Sequence, residues 1–113
     1  MTRDLVIRKA EGTWVVRAGG AVIAESVNGL EVIEAGLAPV IYFPREDVAM
    51  AFLDRSDSRT RCPRKGEASY FNLVAKSATI PDACWSYEDP LPGAERIGGY
   101  LSFYPDRVTV ERV

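Results

Sequence analysis

Residues 13–26 read Thr13-Trp-Val-Val-Arg-Ala-Gly-Gly-Ala-Val-Ile-Ala-Glu-Ser26. Two runs rich in β-branched and aromatic residues flank Gly19-Gly20, and glycine accepts the positive φ that a two-residue hairpin turn requires. This stretch therefore predicts a β-hairpin.

Further strand-like runs follow this hairpin and are separated by turn-forming residues. Predicted strands lie at 30–34, 40–43, 69–76, 83–87, 99–104 and 108–113. Predicted turns or loops lie at Asn28-Gly29, Ser56–Thr60, Pro81-Asp82, Pro90–Gly93 and Pro105-Asp106. The pattern predicts a mainly β fold with a minor helical part, within a single domain spanning residues 1–113.

One short helix is predicted near residues 44–53. Pro44 suits the first helical position, and Glu46 and Asp47 would then lie where the helix dipole favours negative charge. Val48 and Phe52, four residues apart, would form its buried face.

The composition limits the classes of function that the chain can serve. Its net charge of −2 argues against a general nucleic-acid binder. No apolar run reaches the roughly 20 residues of a membrane span, and the first ten residues contain none typical of a signal peptide. We therefore expect a cytoplasmic protein that binds neither nucleic acid nor membrane.

Histidine is absent from the chain, and cysteine occurs only as Cys62 and Cys84. The absence of histidine excludes a Ser-His-Asp or Cys-His catalytic pair and any imidazole metal ligand. Two cysteines are too few for a disulfide framework, so we expect free thiols, and neither a metal site nor another cofactor.

Four segments carry a resemblance to a known family: Tyr42–Val48, Cys62–Tyr70, Ala83–Tyr87 and Gly99–Tyr104. Together they resemble the bacterial family catalogued as domain of unknown function 427, also labelled nucleotidyltransferase-like. The resemblance implies a small, bent, two-sheet scaffold similar to Mss4-like proteins. Relatives on that scaffold often hold zinc between two cysteine pairs, and this chain lacks the second cysteine of each pair. It also lacks the Gly-Ser step followed by paired carboxylates that nucleotidyl transfer usually requires.

The run Cys62-Pro-Arg-Lys-Gly66 is the most distinctive local feature. Pro63 and Gly66 favour a rigid turn, and the charges of Arg64 and Lys65 favour a Cys62 thiolate. This basic loop predicts contacts to an anion or phosphate through Arg64 and Lys65. The alternative is that Cys62 packs as a small apolar residue while the charges are only solvated.

Aromatic residues at alternate strand positions suggest a second part of the same site. Trp85 and Tyr87 would lie on one sheet face, and Tyr70 falls on a neighbouring predicted strand. A concave face would form a pocket wall, whereas a covered face would be core.

Asp47 and Arg45 each have two possible roles. Asp47 could act as an acid or base, or could only stabilise the helix start. Arg45 could bind ligand or pair with an internal carboxylate. The acidic segment from Asp82 to Glu95 could fold against the basic segment from Asp54 to Glu67, so that the two form the rims of one cleft.

The leading functional prediction is a module that binds a small anionic or aromatic molecule. Its ligand-binding residues would be Arg45, Arg64, Lys65, Tyr70, Trp85 and Tyr87. One alternative is a transferase-like enzyme with Cys62 or Asp47 as nucleophile or base. Another is a structural or protein-interaction domain. The sequence is compatible with a monomer or a homodimer.

Overall fold

The computed structural model describes residues 5–113, which contain ten β-strands and three short 3-10 helices. The strands are β1 (Leu5–Lys9), β2 (Trp14–Ala18), β3 (Ala21–Ser26), β4 (Leu30–Glu34), β5 (Val40–Tyr42), β6 (Leu53–Cys62), β7 (Gly66–Ala75), β8 (Ala78–Ser86), β9 (Ser102–Phe103) and β10 (Thr109–Arg112). The 3-10 helices are Arg45–Asp47, Met50–Phe52 and Glu95–Ile97. No helix within residues 5–113 is long and apolar enough to cross a membrane.

The strands form three antiparallel sheets. Sheet 1 has the order β1-β4-β5, sheet 2 the order β10-β2-β3, and sheet 3 the order β6-β7-β8-β9. The predicted hairpin is β2-β3, with Gly19 and Gly20 at φ 55° and 78° in its turn. The mainly β class is confirmed, but the described residues form three sheets where two were expected.

Both faces of sheet 3 contribute buried residues, since successive side chains of a strand point to opposite sides. Phe71 and Cys84 pack with Val16 and Ile23 of sheet 2 in one core cluster. The opposite face contributes Ala68 and Tyr87 to a second cluster, with Leu30, Val32 and Tyr42 of sheet 1. Burial of one such apolar side chain contributes about 1.5–3 kcal/mol, so both clusters hold sheet 3 in place.

The sequence predicts one short continuous helix near residues 44–53, and the structure has no continuous helix there. Helical turns do occur there, but as the two 3-10 helices Arg45–Asp47 and Met50–Phe52. Between them Val48 is extended, with φ −111°, and forms a β-bridge with Ala24. The Ala49 N–H donates to the carbonyl of Ile23, so the chain pairs with β3 instead of continuing a helix.

The predicted loop Ser56–Thr60 and the predicted turn Pro81-Asp82 both lie inside strands. Between the pairs Arg55–Phe71 and Arg59–Ser69, β6 advances four residues while β7 advances two. A similar mismatch between β7 and β8 leaves residues 81–83 opposite a single residue of β7. Both segments are therefore β-bulges, which accept polar residues and proline without ending the strand.

The predicted strand at residues 99–104 is shortened to Ser102–Phe103. Gly99 has φ 78°, a left-handed conformation that does not fit a strand. Ahead of β9, the N–H of Tyr100 donates to the carbonyl of Ile97 in a turn.

Candidate functional site

The bulges of β6 and β8 meet across the central strand β7. The hydroxyl of Ser58 donates to Oδ2 of Asp82 at 2.6 Å. The backbone N–H of Asp82 donates to Oδ1 of Asn72, which lies on β7 between them, at 2.9 Å. Asp82 has φ 48° and is the sole non-glycine residue with positive φ among residues 5–113. These contacts fix the Asp82 carboxylate beside the β6 bulge.

The hydroxyls around Asp82 favour its charged form. The Ser56 and Ser58 hydroxyls hold the pKa of Asp82 below its ordinary value, and the charge of Arg107 acts in the same direction. The Ser56 hydroxyl also accepts the N–H of Ser58 at 3.1 Å, which stabilises the bulge. Asp82 therefore stays a carboxylate at neutral pH.

A cleft of about 460 Å³ opens at these bulges. We call it the bulge cleft, and its lining residues are Ser58, Arg59, Thr60, Tyr70, Asp82, Tyr104, Asp106 and Arg107. They come from β6, β7, β8 and the segment after β9. The volume lies within the range of about 300–1,000 Å³ that is usual for small-molecule sites.

Three hydroxyl groups form a row along the bulge cleft. Oγ1 of Thr60 lies 2.9 Å from the Tyr70 hydroxyl, which lies 3.4 Å from the Tyr104 hydroxyl. Burial, followed by the hydrogen bond with Tyr70, raises the pKa of Tyr104 above its ordinary value. The Tyr104 hydroxyl therefore remains protonated at neutral pH and can donate to a ligand.

Two guanidinium groups lie at the same cleft. Nη1 of Arg59 donates to the carbonyls of Ser56 and Ser58, at 2.9 and 2.7 Å. Nη1 of Arg107 donates to the carbonyl of Pro81. Within residues 5–113, neither arginine forms an ion pair with a carboxylate. Because a guanidinium has five N–H donors, both keep donors for a ligand.

Trp85 separates the bulge cleft from the core. Its ring lies 4.5 Å from the ring of Tyr104, centroid to centroid, on the cleft side. On the core side it packs edge-on against Tyr42 at 6.1 Å, and its indole N–H donates to the Tyr42 hydroxyl at 3.2 Å. Tyr87 lies deeper, buried against Tyr42. The predicted aromatic face is thus divided, with Tyr70 in the cleft, Tyr87 in the core and Trp85 between them.

The charges of the basic loop are paired with a carboxylate within the protein. Lys65 is only 9% exposed, its ammonium forms an ion pair with Glu34, and it lies 5.6 Å from the ring centroid of Tyr87. Nη1 of Arg64 lies 3.9 Å from the second oxygen of Glu34. The predicted turn is present, with Gly66 at φ 110°. The structure therefore places Lys65 against Tyr87 of the second core cluster and Arg64 beside Glu34, and neither residue lines the bulge cleft.

The two candidate catalytic residues also lie outside the bulge cleft. Cys62 is half-buried and packs against the second core cluster. Asp47 accepts a 2.6 Å hydrogen bond from Ser26, whose hydroxyl also accepts the N–H of Asn28 at 2.9 Å. Asp47 thus stabilises the turn between β3 and β4. Within residues 5–113 no three acidic or cysteine side chains are grouped to hold a metal ion.

Arg45 pairs inside the fold. Its Nε donates to the carbonyl of Gly99 at 3.0 Å, and its Nη2 donates to Glu88 at 3.1 Å. Arg55 donates two further hydrogen bonds to Glu88, at 2.7 and 3.0 Å. The Arg55 bonds are the main reason that the pKa of Glu88 is lowered to about 2.

The predicted contact between the basic and acidic segments is confirmed. It consists of the Arg55–Glu88 ion pair, the Ser58–Asp82 hydrogen bond and the Leu91 N–H donated to the Lys65 carbonyl at 3.0 Å. The bulge cleft takes Arg59 from the basic segment and Asp82 from the acidic one. No sequence motif marked Ser58, Thr60, Asp106 or Arg107 as site residues. The turn-like pairs Pro81-Asp82 and Pro105-Asp106 were the only local signals near them.

Comparison with known proteins supports the resemblance noted from the sequence. The family model described as domain of unknown function 427 matches residues 6–113. No curated protein matches the chain.

Proposed function

We propose that this chain, which belongs to the family described as domain of unknown function 427, binds a small anionic molecule in the bulge cleft. The observation that carries the proposal is the position of Arg59 and Arg107. Both guanidinium groups border a cleft lined by hydroxyls, and both bond only to backbone carbonyls in the described part of the chain. Guanidinium groups bind carboxylate and phosphate through paired N–H donors, with defined geometry.

The tyrosines of the cleft suit an anion that carries an organic group. Tyr70 and Tyr104 offer hydroxyls for hydrogen bonding, while their rings provide an apolar wall backed by Trp85. Most ligand sites combine an apolar wall with a few placed polar groups.

The basic loop supports binding only indirectly. For Lys65 to bind a ligand, its ammonium would have to leave Glu34, and the half-buried carboxylate would keep only the Arg64 guanidinium, 3.9 Å away. Removing the close ammonium is costly, since a poorly solvated carboxylate depends on a close cation. Lys65 instead fixes the turn between β6 and β7.

A binding screen tests the proposal. The purified protein would be titrated with phosphate monoesters, carboxylates and sulfonates, with thermal shift followed by calorimetry. A ligand at about 100 times its dissociation constant stabilises the folded state by about 2.7 kcal/mol. We expect a hit that weakens at least about tenfold in Arg107→Gln and in Arg59→Gln, because each substitution removes a charge-assisted hydrogen bond.

The matched control is Arg112→Gln. Arg112 is an exposed arginine of β10 outside the bulge cleft, so its loss changes the net charge equally. If all three variants weaken ligand binding equally, the attraction is a nonspecific effect of charge, and the proposal is contradicted. Absence of binding across the screen would contradict it as well.

A further inference from the structure

We infer that the ligand of the bulge cleft is dipolar, with an anionic group at Arg59 and Arg107 and an ammonium or similar donor group at Asp82. This inference rests on the proposed function and specifies its ligand class. The cleft lining contains two arginines and two aspartates, so its formal charge is zero. A purely anionic molecule would gain from the arginines but would also approach Asp82 and Asp106.

The Asp82 carboxylate has unused capacity to accept hydrogen bonds. Its Oδ2 accepts from Ser58 at 2.6 Å, and the Ser56 hydroxyl also stabilises the charged carboxylate. An ionised carboxylate has about four acceptor positions, so two serine hydroxyls leave part of its capacity free. A donor group on the ligand would satisfy this carboxylate.

The backbone at Asp82 is held in place before any ligand arrives. Its left-handed φ of 48° is maintained by the hydrogen bonds to Ser58 and Asn72. Unfavourable backbone conformations of this kind cluster at functional sites, where surrounding contacts hold them. A carboxylate that is already positioned loses little conformational freedom on binding.

Matched pairs of ligands test the inference, each pair differing in one amino group. The pairs are phosphoethanolamine with ethyl phosphate, taurine with ethanesulfonate, and phenylalanine with 3-phenylpropionate. For at least one pair we expect the wild-type protein to bind the aminated member about tenfold tighter, the effect of one charge-assisted hydrogen bond. Asp82→Asn, which keeps the side-chain shape, should remove this preference for the aminated member.

Asp57→Asn is the matched control, since Asp57 lies in the same β6 bulge but does not line the cleft. It should retain the preference for the amino group. The wild-type comparison needs no variant, so the test stands even if Asp82→Asn folds poorly.

The outcomes separate the two proposals. If simple anions bind and depend on Arg107, but no aminated member binds tighter, the dipolar ligand is excluded and the proposed function stands. A preference that persists in Asp82→Asn also overturns the role of Asp82. If no member of any pair binds, both proposals fail together.

Discussion

The hydroxyl of Ser58 donates to the carboxylate of Asp82 across a strand that lies between them. β6 and β8 are not neighbours in sheet 3, since β7 separates them, yet their bulges bring these side chains within 2.6 Å. The hydrogen bond ties the two borders of the bulge cleft together. The shape of the cleft therefore depends on two residues that the sequence pattern alone placed outside any strand.

The left-handed backbone of Asp82 predicts an unusual order of stability for two variants. Asp82→Gly and Asp82→Ala both remove the carboxylate, but only glycine accepts φ 48° without a Cβ clash. The clash costs about 1–2 kcal/mol, and the greater freedom of glycine in the unfolded chain offsets part of it. We expect Asp82→Ala to be less stable than Asp82→Gly by about 0.5–1 kcal/mol in urea unfolding.

The control is Thr79, an exposed β8 residue with an ordinary strand backbone. At this position Thr79→Gly should be less stable than Thr79→Ala, because glycine weakens a regular strand. The same order at both positions would show that residue 82 is not left-handed.

Lys65 and Glu34 should be energetically coupled. Replacing Lys65 with Met leaves the Glu34 carboxylate half-buried without its ammonium partner, at a cost of about 2–3 kcal/mol. In the double variant with Glu34→Gln that penalty largely disappears, so a double-mutant cycle should give a coupling of at least about 1 kcal/mol.

The same cycle with Asp89→Asn is the control, because Asp89 forms no ion pair with Lys65 in the structure. We expect additive effects on the free energy of unfolding for that pair. Coupling of Lys65 to Asp89, without coupling to Glu34, would contradict the observed placement of the basic loop.

Glu88 should make stability depend on acidic pH. Arg55, helped by the charge of Arg45, lowers the pKa of Glu88 from 4.5 to about 2. Because the pKa of Glu88 is lower in the folded state than in the unfolded chain, ionised Glu88 stabilises the fold at pH values above the unfolded-state pKa. This contribution is lost as the pH falls toward 2. After allowance for solvent screening, Glu88→Gln should destabilise the protein by about 1 kcal/mol at pH 7 and by almost nothing near pH 2.

Unfolding by urea between pH 7 and pH 2.5 measures this difference. Glu67→Gln serves as the control, since Glu67 is exposed and forms no ion pair within residues 5–113. If the difference in unfolding free energy between wild type and Glu88→Gln widens as the pH falls, ionised Glu88 does not stabilise the fold as stated.

The two cysteines should differ in reactivity. Cys84 is fully buried, and burial raises its pKa, whereas Cys62 is half-buried. A thiol reagent should therefore modify one cysteine per chain rapidly in the native protein and two in urea. Cys62→Ala should abolish the rapid reaction, while Cys84→Ala should retain it. A rate at Cys62 well above that of an unstructured thiol would favour the enzyme alternative.

The strands of this protein were largely predictable because their signals are local. Runs rich in β-branched and aromatic residues define β2 and β3, and Gly19-Gly20 supplies the turn between them. The same reasoning found β4, β5 and β7. It did not predict the two separate 3-10 helices at residues 44–53, where the Ala49 N–H donates to the carbonyl of Ile23 on β3, because that bond depends on distant pairing.

The site was predictable only in part, for a related reason. Tyr70, a predicted ligand-binding residue, and Arg59, part of the predicted basic segment, both line the bulge cleft, and residue type alone marked them. The bulges of β6 and β8 look like a loop and a turn in isolation, and only their register with β7 keeps them in the sheet. The pairing of Lys65 with Glu34, 31 positions away, likewise follows from tertiary structure.

β6 is also the outer strand of sheet 3, so its backbone polar groups on one side have no neighbouring strand in that sheet. Such an edge invites strand addition from another molecule and hence aggregation. Five of its ten residues are charged, and its bulge interrupts the regular spacing of N–H and C=O groups. The irregularity that forms the cleft therefore also protects the sheet from self-association, and a variant engineered to straighten β6 would become prone to fibril-like assembly.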